Sequence, residues 1–139
     1  MKADVSPGEN VSFYQTDVSS SSSIKKAAEE IRAAHGDPSV LINNAGLGFG
    51  RTVLDESEEE IRKTIDVNLI AHFLTVKEFM PSMVSKNHGH VVTVASMASF
   101  VTIAQNVTYS TTKAAVLSLH EGLRQELDHR HNAPNVRTR

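Results

Sequence analysis

Tyr109-Ser110-Thr111-Thr112-Lys113 sets a phenol and an ammonium four positions apart. On a helix that spacing puts both side chains on one face, a single turn from each other. A free phenol titrates near ~10 and is a poor base at neutral pH, but a nearby cation favours the phenolate. The pair is therefore suited to trading a proton with an oxygen of a bound molecule. Ser96 closes an apolar run and lies thirteen residues before Tyr109, so a loop can bring its hydroxyl back beside the phenol. Asn68 interrupts the apolar stretch Val67-Asn68-Leu69-Ile70. An amide there is mildly unfavourable in a helix and costly to bury without partners. Asn43-Asn44-Ala45-Gly46 directly follows another apolar run, and small residues at such a place let a nucleotide approach the backbone closely.

These residues need elements to hold them. Residues 11–16 alternate in character and read as a short strand. The serine run 19–23 reads as the start of a helix, because Ile24, Ala27, Ala28 and Ile31 follow at helical spacing. Gly36, Asp37 and Pro38 end it. Val40, Leu41 and Ile42 form a short apolar run, as expected of a parallel strand covered on both faces. Ser57 and Glu60 have capping-box spacing at the front of the next helix. Apolar patterning then runs over residues 61–84, with Pro81 expected to kink or end the helix. Residues 87–89 read as a turn, 90–95 as a second buried strand, 109–127 as a helix and 135–138 as the start of one more strand. The order β-α-β-α-α-β-α-β argues for a parallel sheet between helical layers, in one domain over 1–139.

Composition narrows the classes of function. The chain is long enough for one domain and too short for two. A net charge of −2 offers no basic field for nucleic acid or an anionic membrane. With no cysteine, disulfides, thiolate nucleophiles and cysteine-based zinc sites are excluded. No apolar run is long enough to span a bilayer, and residues 1–10 lack the hydrophobic stretch of a signal peptide, so a cytoplasmic setting is the default expectation. His88 with His90, and His129 with His131, invite a metal reading. No carboxylate stands at ligand spacing, and no metal is expected. The sequons at Asn10 and Asn106 are discounted, the second because a glycan there would crowd Tyr109.

Taken together, Asn43-Asn44-Ala45-Gly46, Asn68, Ser96 and Tyr109-x-x-x-Lys113, in this order and at these spacings, resemble the short-chain dehydrogenase/reductase family over nearly the whole chain. The resemblance implies an α/β, Rossmann-like doubly wound parallel sheet and an oxidoreductase that interconverts an alcohol and a carbonyl with NAD or NADP, NADP slightly favoured. It implies that Tyr109 is the acid/base, that Lys113 favours its phenolate and bonds the nicotinamide ribose, that Ser96 holds the substrate oxygen, and that Asn68 anchors a proton-relay water. It implies too that Asp17 and Val18 meet the adenine ring while Asn44, Ala45 and Gly46 line the ribose side. Residues 87–96 are similar to the retinol and hydroxysteroid dehydrogenase branch, which implies a lipid-like substrate. The long helix and the Tyr109 helix form a subunit interface in that family, which implies a homodimer or homotetramer for the complete protein.

The family's glycine-rich pyrophosphate turn has no counterpart in these letters, and neither do its substrate lid and last strand. The sheet is therefore expected to be incomplete at both ends, leaving residues 11–16 and 40–43 without the strands that separate them in the family. Such a chain is expected to be a fragment that binds the cofactor poorly. Two other readings stand beside the oxidoreductase: a non-catalytic remnant acting as an interaction module, and a nucleotide-sensing or nucleotide-sugar-binding protein, for which Ser96, Tyr109 and Lys113 together would be superfluous.

Overall fold

The computed structural model describes residues 11–139. The reading of residues 1–10, with the sequon at Asn10, lies outside the described residues. Three parallel strands form one sheet in the order β1-β2-β3: β1 (Val40–Asn43), β2 (Gly89–Thr93) and β3 (Val136–Thr138). Val40 pairs with His90 and Asn43 with Thr93, while Gly89 pairs with Val136. The helices are α1 (Ser21–His35), α2 (Glu58–Ile65), α3 (Ala71–Ser85) and α4 (Val107–His129). This is the expected parallel α/β arrangement, with a sheet of three strands.

Helix starts follow local chemistry. Ser20 caps α1 by accepting from the Ser23 N–H. Asp17 accepts from the N–H and hydroxyl of Ser19, which fixes the turn leading in. Gly36, at φ 78°, ends the helix, in a conformation that costs glycine little. Ser57 and Glu60 form the capping box at the head of α2.

The core follows from the strand alternation. Val91 and Val136 point to the helices and pack with Val76, Met83, Leu123, Leu127 and Ala133. A smaller cluster of Ile24, Ala28 and Phe79 joins α1 to α3. Arg32 reinforces that junction by donating to the Glu78 carboxylate and carbonyl while lying over the Phe79 ring. Gly89 is required where β2 begins: a Cβ there would come within 2.6 Å of the buried Met83 side chain. The opposite face of the sheet carries no helix among the described residues, and Ile42 on that side is 61% exposed.

Three expectations are corrected. Residues 11–16 form no strand. A strand requires a neighbour for its backbone groups, and among the described residues β1 is bonded to β2 alone. The segment instead lies along α1, with Tyr14 edge-on to the His35 ring and Ser12 hydrogen-bonded to the same imidazole. The second strand ends at Thr93 rather than at residue 95, so Ser96 stands beyond it. Of the kink or end expected at Pro81, the end is not found: α3 runs on through it to Ser85. The turns around Pro81 are held by Phe79 and Met83, both buried in the core.

Candidate active site

The helix that follows α2 is not regular. Residues Asp66–Ile70 form a π-helical turn between α2 and α3, a widening of the backbone that recurs at functional sites. Asn68 sits in it, fully buried. Its Oδ1 accepts from the Leu47 N–H at 2.8 Å, and its Nδ2 donates to the Leu47 carbonyl at 2.8 Å and to Thr112 Oγ1 at 3.1 Å. The Thr112 hydroxyl in turn donates to the Tyr109 carbonyl at 2.7 Å. The amide predicted to need partners thus finds them in the loop after β1 and in the first turns of α4.

Lys113 is buried on α4, and its Nζ donates to the Val94 carbonyl at 2.8 Å, just past the end of β2. The same Nζ lies 5.8 Å from the centroid of the half-buried Tyr109 ring, so phenol and ammonium do occupy neighbouring positions on one helix face. The β1 loop passes close to this cluster, most tightly at Gly48. A Cβ on Gly46 would meet Asn68 Oδ1 at 3.5 Å and Lys113 Nζ at 3.6 Å, and one on Gly48 would press on Tyr109 Cδ2 at 3.2 Å. Ser96 caps the 3-10 turn Met97–Ser99, accepting from the Ala98 N–H at 3.1 Å, and that turn packs against α4.

Of the residues expected at a nucleotide, Asn44, Ala45 and Val18 border one small cavity beside β1. Asp17 is exposed, and its carboxyl is held below the usual range by the Ser19 hydroxyl and N–H; its bonds in this structure serve the turn before α1.

The pattern of residue types missed two participants. Thr112 lies inside Tyr-x-x-x-Lys yet ties α4 to Asn68. His72, four residues beyond Asn68, is buried near Lys113 with neither ring nitrogen bonded among the described residues. Burial, with the Lys113 charge adding to it, pushes its pKa down to about 4. A histidine in an apolar helix, one turn beyond the buried amide of Asn68, was the available signal.

Of the apolar residues on the long helix, Phe79 and Met83 are core. Leu69, Phe73 and Met80 instead line an open groove of about 790 Å³ between α3 and α4. No helix among the described residues is long and apolar enough to cross a membrane.

The chain is 55% identical over 130 residues to dehydrogenase RED3 of Cochliobolus heterostrophus, covering 94% of this chain and 66% of that protein. It is 45% identical over 114 residues to retinol dehydrogenase 10-B of Danio rerio, covering 82% of this chain and 34% of that one. The chain thus spans less than two thirds of the length of these relatives. Among solved structures, a metagenomic short-chain oxidoreductase in complex with NADP superposes with a TM-score of 0.80 at 33% identity, covering 88% of this chain and 54% of the other. The sequence pattern of the short chain dehydrogenases matches residues 2–137, and the chain belongs to that family.

Proposed function

We propose that residues 1–139 are the central part of a single NAD(P)-binding domain of an oxidoreductase that interconverts an alcohol and a carbonyl. The observation that carries this reading is the convergence of Asn68, Tyr109 and Lys113 around the loop Asn44-Ala45-Gly46-Leu47-Gly48. Tyr109 exchanges the proton with the substrate oxygen. Lys113 stabilises the charge that appears on the phenol and reaches toward the cofactor ribose. Ser96, whose oxygen already accepts one bond from its own turn, still has a hydroxyl proton to offer to a substrate oxygen. Asn68 holds the loop and α4 in register and anchors the relay water.

The residues present fit a nicotinamide nucleotide. Small residues at 45, 46 and 48 leave the loop backbone open to a planar ligand, and Val18, Asn44 and Ala45 border the cavity beside it. Asp17, Val18, Asn44, Ala45, Gly46, Tyr109 and Lys113 are assigned to holding it. When bound, the cofactor supplies or accepts the hydride. NADP is favoured over NAD because the similar metagenomic oxidoreductase holds NADP.

An apolar, lipid-like alcohol or carbonyl suits the segment between Ser96 and Tyr109. Met97 is 79% exposed there, and Phe100, Val101 and Ile103 are exposed beside it. The groove between α3 and α4 is assigned to subunit contact in a homodimer or homotetramer of the complete protein. If the 139-residue chain is catalytically incompetent, the same groove makes it an interaction module.

The test is absorbance in the nicotinamide band with apolar primary and secondary alcohols, on the chain as it stands and on the same sequence within a full-length relative. Hydride transfer that vanishes in Tyr109→Phe supports the reading. Near-normal rates in that variant overturn it.

A further inference from the structure

His88 and His90, the imidazoles that invite a metal reading, stand at the opposite end of the sheet from Tyr109 and Lys113. There the starts of β1, β2 and β3 surround an open pocket of about 410 Å³, lined by Ser39, Asn87, His88, His90, Asn135 and Arg137. From His90 to Val94, whose carbonyl takes the Lys113 ammonium, the chain advances roughly 13 Å. The pocket is therefore separate from the candidate active site. Its rim is tied together across the three strand starts. The His90 N–H donates to the Ser39 carbonyl at 2.8 Å. Asn87, in the left-handed region at φ 43°, accepts the Asn135 N–H on its Oδ1 at 3.1 Å.

The side chains on that rim mostly donate. A guanidinium carries five N–H donors and accepts nothing, and Arg137 enters none of the ion pairs among the described residues. With its Oδ1 engaged, Asn87 has its Nδ2 left to give. His90 Nε2 is buried without a partner among the described residues. No carboxylate lines the pocket. Asp37, the acid nearest to Ser39 in sequence, is held by Lys86 at 2.9 Å and Arg32 at 3.2 Å. A metal ion would be repelled by Arg137, and no group of three metal-ligating side chains occurs among the described residues. An anion satisfies these donors at once. A carboxylate brings two oxygens, whereas a phosphate group brings three strong acceptors and up to twice the charge. The net charge of −2 supplies no wider basic field, which suits a small anion rather than a polyanion.

We propose that this pocket at the N-terminal end of the sheet binds a small phosphate-type dianion, with Arg137 as the anchoring charge and Asn87, His88 and His90 as donors around it. Free phosphate and the phosphate of a small monoester present the same chemistry to it. The site does not rest on the oxidoreductase reading, so phosphate binding here and hydride transfer can fail independently.

The test is nitrogen NMR on the isotopically labelled 139-residue chain. Inorganic phosphate, glycerol 3-phosphate and acetate are titrated at constant ionic strength and about pH 7.5, where a phosphate monoester is close to a dianion. Saturable shifts at millimolar phosphate are expected at the His88 and His90 ring nitrogens and at the amides of residues 87–90 and 135–137. Acetate should bind at least about fivefold more weakly, having fewer oxygens and less charge. Arg137→Gln should weaken phosphate about tenfold, the worth of one charge-assisted hydrogen bond. Arg124→Gln, which removes an equal charge from the exposed side of α4, should leave the affinity unchanged. His88→Ala, at another exposed position, gives a second reading should Arg137→Gln fail to fold, with a loss of about threefold expected. Tighter binding of glycerol 3-phosphate than of phosphate would support the site and identify a carried phosphate as its ligand; equal affinities would support it with the free anion. Shifts that never saturate would overturn the proposal, as would acetate binding as tightly as phosphate. So would a folded Arg137→Gln chain, or a His88→Ala chain, with the affinity of the parent, or an equal loss in Arg124→Gln.

Discussion

Asn68 grips the peptide of Leu47 from both sides, accepting from its N–H and donating to its carbonyl, each at 2.8 Å. One side chain from a π-helical turn thereby substitutes for a strand neighbour, satisfying backbone groups that the β1 loop would otherwise expose. Because the same Nδ2 reaches Thr112, the contact also fixes where α4 begins relative to that loop. Replacing Asn68 with Ala leaves the part-buried Leu47 groups without their partner and takes from Thr112 one of its two hydrogen bonds. The expected loss is roughly 2–4 kcal/mol of folding stability, read from urea unfolding. Asn68→Ala with an unchanged midpoint would mean that solvent already satisfies these groups.

Tyr109 is packed against Gly48 and is one helical turn from Lys113. Removing only the hydroxyl leaves that packing intact. In a hydride-transfer assay Tyr109→Phe is expected to lower turnover by at least about 100-fold, the usual range for a lost acid/base group. Its thermal midpoint should stay near that of the parent and cofactor affinity should be largely retained. Loss of folding in this variant would assign the hydroxyl a structural part instead.

Gly89 opens β2 directly against Met83, where an added methyl would sit 2.6 Å from side-chain atoms. Gly89→Ala is expected to destabilise the fold by roughly 1–3 kcal/mol through overpacking. Pairing it with Met83→Ala, which frees the space, should make the two changes strongly non-additive. Simple addition in the double variant would show that the strain is relieved elsewhere.

His72 ties stability to pH. In the unfolded chain the imidazole protonates as pH falls through its ordinary 6.5, whereas in the fold burial, followed by the Lys113 charge, delays this to about 4. Between those values the unfolded state binds more protons, so stability rises with pH there. The full benefit is present above 6.5 and is lost progressively as pH falls toward 4, by at most about 3 kcal/mol. Urea midpoints measured from pH 7 to 4.5 should slope downward in the parent chain and less steeply in His72→Phe. Parallel slopes in the two chains would show that His72 titrates normally.

The elements readable from the letters were those set by neighbours a few residues away. The capping box of Ser57 and Glu60, the serine cap of α1 and the shared face of Tyr109 and Lys113 all follow from helical periodicity within one or two turns. Residues 11–16 show the limit of that reasoning. Alternation describes a segment able to be a strand, but strand formation depends on a partner edge that the local sequence does not supply.

By itself, the order of residues determined which side chains could do chemistry and which helices and strands would carry them, because those signals are short-ranged. Only the tertiary structure decided that the helix would widen at Asn68, that α3 would run through Pro81 and that His72 would be buried without a bonded partner among the described residues. Each of those outcomes depends on contacts made across tens of residues, where packing and burial override what any single segment prefers.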